Sequence, residues 1–152
     1  MKKFFCSACV IILIISACGC TTSEKVYINM DDFASYLLQN IKFEDELSKL
    51  DDDMISNIYD IEEGVTASVY VGSGATAEEI AIFKTLNNNN AKKVKEAITD
   101  HIKKQKDSFS SYMPLELKKL NNAVIIEKAP YIILLISNES DVKSIIEKYN
   151  KE

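Results

Sequence analysis

The chain of 152 residues has no arginine and no tryptophan, one histidine, two prolines and four glycines. Every base is a lysine, so the planar fork that pairs bidentately with phosphate or guanine is missing, and the net charge is −5. Nucleic acid is therefore not an expected partner. A single histidine, His101, leaves the usual residues of nucleophilic and metal catalysis scarce, and all four cysteines fall within the first twenty residues. So few glycines and prolines in a chain that is 47% hydrophobic and 27% charged exclude collagen-like and disordered classes. The length suits one compact domain.

What is present starts at the N-terminus. Lys2 and Lys3 precede a twelve-residue apolar run, Phe4 to Ile15, which is shorter than the ~20 residues a membrane span needs. It reads as an export signal over residues 1–17. The run ends in Ile15-Ser16-Ala17-Cys18, which resembles the bacterial lipobox. The expected lipidation site is Cys18, whose thiol would take a diacylglycerol; the register at Cys20 would put Ala17 where an aliphatic residue is wanted. Cleavage would leave 16 lysines against 23 acids, a charge of −7, and no pair of free cysteines for a disulfide. Residues 18–29 then form a short polar tether to a globular body over residues 30–152, on the outer face of the bacterial cytoplasmic membrane.

The body predicts an α+β fold. Asp31 to Ile41 carries a helical stripe (Phe33, Ala34, Leu37, Leu38, Ile41), and Met54, Ile55 and Ile58 suggest a second short helix. Val65 to Val71 alternates as a half-exposed strand, Gly72 to Thr76 breaks it, and Glu79 to Leu86 is the return strand. Asn87 to Asn90 launches a long helix with Val94, Ile98, Ile102 and Phe109 inward, ending near Met113 because Pro114 disfavours a helical residue before it. Ala123 to Lys128 and Tyr131 to Ser137 flank Ala129-Pro130 as a second hairpin, followed by a last helix bearing Val142, Ile145, Ile146 and Tyr149. Two hairpins, each followed by a helix, and N-terminal helices imply a four-stranded antiparallel sheet with helices on one face.

The stretches Phe43-Glu44-Asp45-Glu46-Leu47, Tyr59-Asp60-Ile61, Ser73 to Phe83, Tyr112-x-Pro114 and Leu120 to Val124 are similar to those of the bacterial lipoproteins of domain-of-unknown-function family 4358. The resemblance implies secretion and one domain from about Met30 onward. It implies no activity and transfers no catalytic residue.

Two surfaces are candidates for a ligand or partner. Gly72-Ser73-Gly74-Ala75-Thr76-Ala77 spells G-x-G-x-x-A after a strand, with Ser73, Gly74 and Thr76 the residues of interest. A dinucleotide turn would need a parallel βαβ unit around it, so a hairpin loop is the preferred reading. Glu44 to Glu63 holds nine acids against Lys49, which could attract Ca²⁺ or a cationic envelope ligand through Asp51, Asp52, Asp53 and Glu62. As a calcium loop from Asp51 it places Ile55 and Ser56 where a ligand and glycine belong, so a solvated acidic face is preferred. His101 has no second histidine to share a metal and reads as a residue at the edge of the core.

No cofactor, no metal and no catalytic residue is expected. The function these features suggest is a noncatalytic binding or accessory module of the bacterial envelope, held to the membrane by its N-terminal lipid, with an envelope protein or cationic ligand as partner. A hydrolase using paired carboxylates is the alternative from another class, and a purely structural or assembly role is the third.

Overall fold

A computed structural model describes residues 28–149; Cys18, the leader and residues 18–27 of the tether lie outside the described residues. The two tether residues that are described join the body. Ile28 is buried, its N–H donating to the Tyr131 hydroxyl, and that hydroxyl donates to the Ile28 carbonyl. Asn29 caps helix α1 (Met30–Asn40) by accepting from the amides of Asp31 and Asp32, satisfying two donors that the first helical turn leaves unpaired.

Five strands form one antiparallel sheet in the order β1-β2-β3-β5-β4. They are β1 (Ser48–Lys49), β2 (Val65–Val71), β3 (Glu79–Thr85), β4 (Val124–Lys128) and β5 (Tyr131–Ile136). The expected four strands are thus corrected to five. The fifth, β1, is two residues long, pairs Ser48 with Val71 and Lys49 with Tyr70, and carries no alternation of its own. The other four match the two hairpins read from period-2 patterning. All six residues of β5 are buried, as expected for a strand apolar on both faces.

Among the described residues the α-helices are α1, α2 (Asp52–Ile58), α3 (Asn88–Tyr112), α4 (Leu117–Asn121) and α5 (Val142–Tyr149). They cover both faces of the sheet, which corrects the one-face arrangement. Ile80 and Ile82 of β3, with Tyr131, Ile133 and Leu135 of β5, pack with α1 and α5 through Phe33, Leu37, Val142 and Ile146. Ala81 and Phe83, with Ile132, Leu134 and Ile136, pack on the opposite side with α2, α3 and α4 through Ile55, Val94, Ile98 and Leu120. Alternate side chains of a strand point to opposite faces, so strands apolar at every position demand a layer on each side.

α3 starts at Asn88, inside the Asn87–Asn90 cluster expected to launch it, because the Asn87 side chain accepts from the Asn90 amide. It ends at Tyr112 as expected. The chain then makes a 3-10 turn, Pro114–Glu116, and enters α4 at once. That kink had no signal beyond Pro114 and positions the site described next.

Candidate functional site

The kink after α3 turns Lys119 inward until its side chain is 3% exposed. A bare ammonium at that depth is unstable without partners, and three carboxylates meet it: Glu44 at 3.0 Å, Glu116 at 3.1 Å and Glu78 at 3.3 Å. Glu78 is fully buried, and its second oxygen accepts from the amides of Glu44 and Asp45, at 2.8 and 3.0 Å. Glu116 also accepts from the Ala77 amide at 2.8 Å. Asn138, just beyond β5, donates its side-chain amide to Glu44. Asp45 in turn accepts from both the amide and the hydroxyl of Ser73, each at 2.7 Å. One lysine therefore ties together the β2–β3 loop, the chain entering β1, α4 and the chain leaving β5.

The electrostatics follow from these contacts. The Lys119 hydrogen bond and charge hold the Glu44 carboxyl below its usual range, and the two Ser73 hydrogen bonds do the same for Asp45. Burial alone would push the Lys119 ammonium down, but the hydrogen bonds to Glu44 and Glu116 and the charges of Glu78 and Glu116 together raise it above the ordinary lysine value.

A second buried cluster lies on the α3 side of the same strand. Glu79, next to Glu78, shares a face with Ala81 and Phe83 and so points into the core. The Tyr59 hydroxyl donates to one of its oxygens, and His101 Nε2 lies 2.7 Å from the other. The Tyr59 ring stands edge-on to Phe83 and tilted against the His101 ring. Burial first, and then the Glu79 charge and hydrogen bond, push the Tyr59 phenol well above its usual value. His101, read from the sequence as a core-edge residue, is buried in this contact.

The residues singled out in the sequence fall in separate places. Ser73, Gly74 and Thr76 lie in the β2–β3 loop, where Gly74 adopts φ +90°. Four amides of the turn are already engaged: the Ser73 amide by Asp45, the Ala77 amide by Glu116, the Gly72 amide by the Glu78 carbonyl and the Ala75 amide by the Ser73 hydroxyl. Carboxylates stand on the side where phosphate would have to approach, and the G-x-G-x-x-A spelling is a hairpin loop. Asp51 caps α2, accepting from the Met54 amide at 2.8 Å. Asp52 and Glu62 line one shallow groove with Ile55, Ile61 and Thr66, while Glu62 is ion-paired with Lys93. Asp53 is exposed on α2. Glu62 sits at the Val65 end of β2 and Ser73 past its Val71 end, about 20 Å of strand apart. The loop and the acidic segment are joined at Glu44 and Asp45 rather than at Asp51 to Asp53 or Glu62. Among the described residues, no group of three or more His, Cys, Asp or Glu side chains is placed to hold a metal ion, and no helix is long and apolar enough to cross a membrane.

Lys119, Glu116, Glu78, Glu79 and Tyr59 were not anticipated as a site. Glu79 had a readable signal: an acid in phase with Ala81 and Phe83 on a strand apolar on both faces must be buried and needs partners. Lys119 had none, because Lys118 beside it is exposed and the two look alike in the sequence.

The geometry describes a three-layer α/β/α unit whose charged groups are bonded to one another around the end of the sheet. Residues 39–137 match the family model of a domain of unknown function (DUF4358), and the chain belongs to that family. The matched segment runs from the end of α1 to the residue after β5 and contains Lys119, Glu44, Glu78, Glu116, Tyr59, Glu79 and His101, while Asn138 lies one residue beyond it. No curated protein and no solved structure matches the chain.

Proposed function

We propose that the chain is a lipid-anchored, extracytoplasmic, noncatalytic binding or accessory module of a bacterial cell envelope, acylated at Cys18. The observation that carries the reading is the internal use of the charged groups. The buried acids Glu78, Glu79 and Glu116 are bonded to Lys119, Tyr59, His101 and backbone amides, and the loop amides to carboxylates. These bonds hold a surface in shape, which is what a docking module requires. The leader Lys2 to Ile15 and the Ile15-Ser16-Ala17-Cys18 motif support the location.

Mass spectrometry of the mature N-terminus tests the anchor. A diacylglyceryl group on Cys18 in the membrane fraction is expected, with Cys18→Ala uncleaved or released and Cys20→Ala unchanged. A mature protein starting at Cys20 would overturn the register, and one retaining residues 1–17 in the wild type would overturn the anchor.

A further inference from the structure

The charged network at the end of the sheet supports an apolar surface that faces outward. Three large apolar residues in the four-residue segment 112–115 are open to solvent: Leu115 is 86% exposed, Tyr112 56% and Met113 39%. Chains tolerate scattered exposed apolar residues, but a contiguous group on a fixed backbone marks an interaction site. This backbone is fixed. Met113 N–H donates to the Phe109 carbonyl, Glu116 N–H to the Met113 carbonyl, and the Glu116 side chain is held by the Ala77 amide and Lys119. The Tyr112 ring packs on buried Phe109 with centroids 5.0 Å apart, and its hydroxyl lies 3.5 Å from the Gly74 carbonyl. The tyrosine is thereby ordered before any partner arrives, which lowers the entropy lost on binding.

Two observations define the occupant. The first is charge. Lys119, four residues beyond Leu115, is matched inside by Glu78 and Glu116, so Glu44, Asp45 and Glu46 outnumber the exposed Lys118 and leave this end net negative. A second copy would bring a second acidic rim against the first, and an anionic lipid surface would be repelled as well. The second is direction. The chain enters the body at Ile28 beside Tyr131, where β5 starts opposite Lys84, whereas the loop and Tyr112 lie beyond the other end, where Ile136 pairs with Glu79. The length of β5, roughly 17 Å, separates them. An anchored chain presents Tyr112 and Leu115 away from its point of attachment.

We propose that Tyr112, Met113 and Leu115, rimmed by Glu44 and Glu46, dock an envelope protein that offers an apolar pocket edged by lysine or arginine. The proposal rests on the binding-module reading and names its surface and its partner class.

The test is photocrosslinking of the full-length chain in its own cells, with p-benzoylphenylalanine in place of Leu115 and, as a control on another face, in place of Met54. Leu115 makes no hydrogen bond through its side chain and is exposed, so the substitution leaves folding intact. The expected result is an adduct with one other protein at position 115 and not at 54, mapped by mass spectrometry to a peptide containing Lys or Arg beside apolar residues. Its yield is expected to fall roughly fivefold on Glu46→Lys in the same chain. A lipid adduct, a self-adduct, equal labelling at both positions, or a yield unaffected by Glu46→Lys overturns the proposal. Adducts at Met54 alone from a membrane-fraction protein with acylated Cys18 would remove this surface and leave the binding module standing. A soluble, unacylated protein with no adduct at either position would remove both.

Discussion

Glu78 and Glu79 are consecutive and both fully buried, yet their surroundings differ in kind. Glu78 meets an ammonium and two backbone amides in a cluster that reaches solvent through Glu44, whose side chain is more than half exposed. Glu79 meets a phenol and an imidazole in a cluster closed between β3, α2 and α3. The partners of Glu78 come from loops at residues 44–45 and from α4, so that cluster sets how the loops stand. The partners of Glu79 come from the end of α2 and the middle of α3, so that cluster sets how a layer of helices sits on the sheet. Strand alternation sends two like residues to two different tasks.

The largest expected effect separates these tasks. Lys119→Met leaves Glu78 and Glu116 buried without their cation and should cost about 3–5 kcal/mol, the penalty for removing one partner of a buried pair. Glu79→Gln keeps an acceptor of the same shape for the Tyr59 hydroxyl, and about 1–3 kcal/mol is expected. Urea unfolding at neutral pH measures both. A larger loss in Glu79→Gln than in Lys119→Met would reverse the order of importance given to the two clusters.

The pH dependence sharpens the same contrast. Glu44 and Asp45 have lowered folded values, so their contribution is complete above the ordinary values of 4.5 and 3.8 and is lost as pH falls through the lower folded ones. Lys119 has a raised value, so its contribution is complete below 10.5 and is lost as pH rises through the folded value. Tyr59 stays neutral in the fold beyond 10.0, where the unfolded phenol ionises, so its contribution also fades only in alkali. The Lys119 cluster should weaken in acid and in alkali, whereas the Tyr59 phenol acts on the alkaline limb. Tyr59→Phe is expected to flatten the alkaline limb of a stability-against-pH curve and leave the acid limb in place. An unchanged alkaline limb would show that the Tyr59 phenol does not govern it.

The smallest effect belongs to a pair outside both clusters. Lys49 and Asp31 are 2.7 Å apart, but both side chains are about half exposed. Lys49 stands above its usual value through its hydrogen bond to Asp31, and Asp31 stands below its own through Lys49 and Ser68. Solvent screens such a pair, so Lys49→Met should change stability by less than about 1 kcal/mol, and by less still in high salt. A loss as large as that of Lys119→Met would mean that the position of β1, not burial, governs these ion pairs.

Periodicity carried most of the fold. The alternation in Val65 to Val71 and the unbroken apolar run Tyr131 to Ile136 identify β2 and β5, and Asn87 and Pro114 bracket α3. Strand β1 escaped because two residues hold no period and are defined only by their partners Val71 and Tyr70. The expected single layer of helices is overturned by the apolar residues on both faces of β3, from Ile80 to Phe83, and of β5. The β2–β3 loop is the hairpin loop its spelling after a strand suggested, but which carboxylates occupy its amides is set by partners distant in the chain. Asp45 is 28 residues from Ser73, and Glu116 is 39 from Ala77. No local pattern links residues so far apart, and charge counting over Glu44 to Glu63 does not separate Glu44 and Asp45, which meet the loop and Lys119, from the other acids of the segment.

The clasp between Ile28 and Tyr131 has a mechanical side. A pull on the chain ahead of Ile28 reaches the body at two hydrogen bonds to a buried phenol rather than at the free end of α1. Tyr131 begins β5, which is paired along its length with β3 on one flank and β4 on the other. Load entering there is shared across three strands in shear, so the sheet takes up the strain as a block and α1 is shielded from unwinding first.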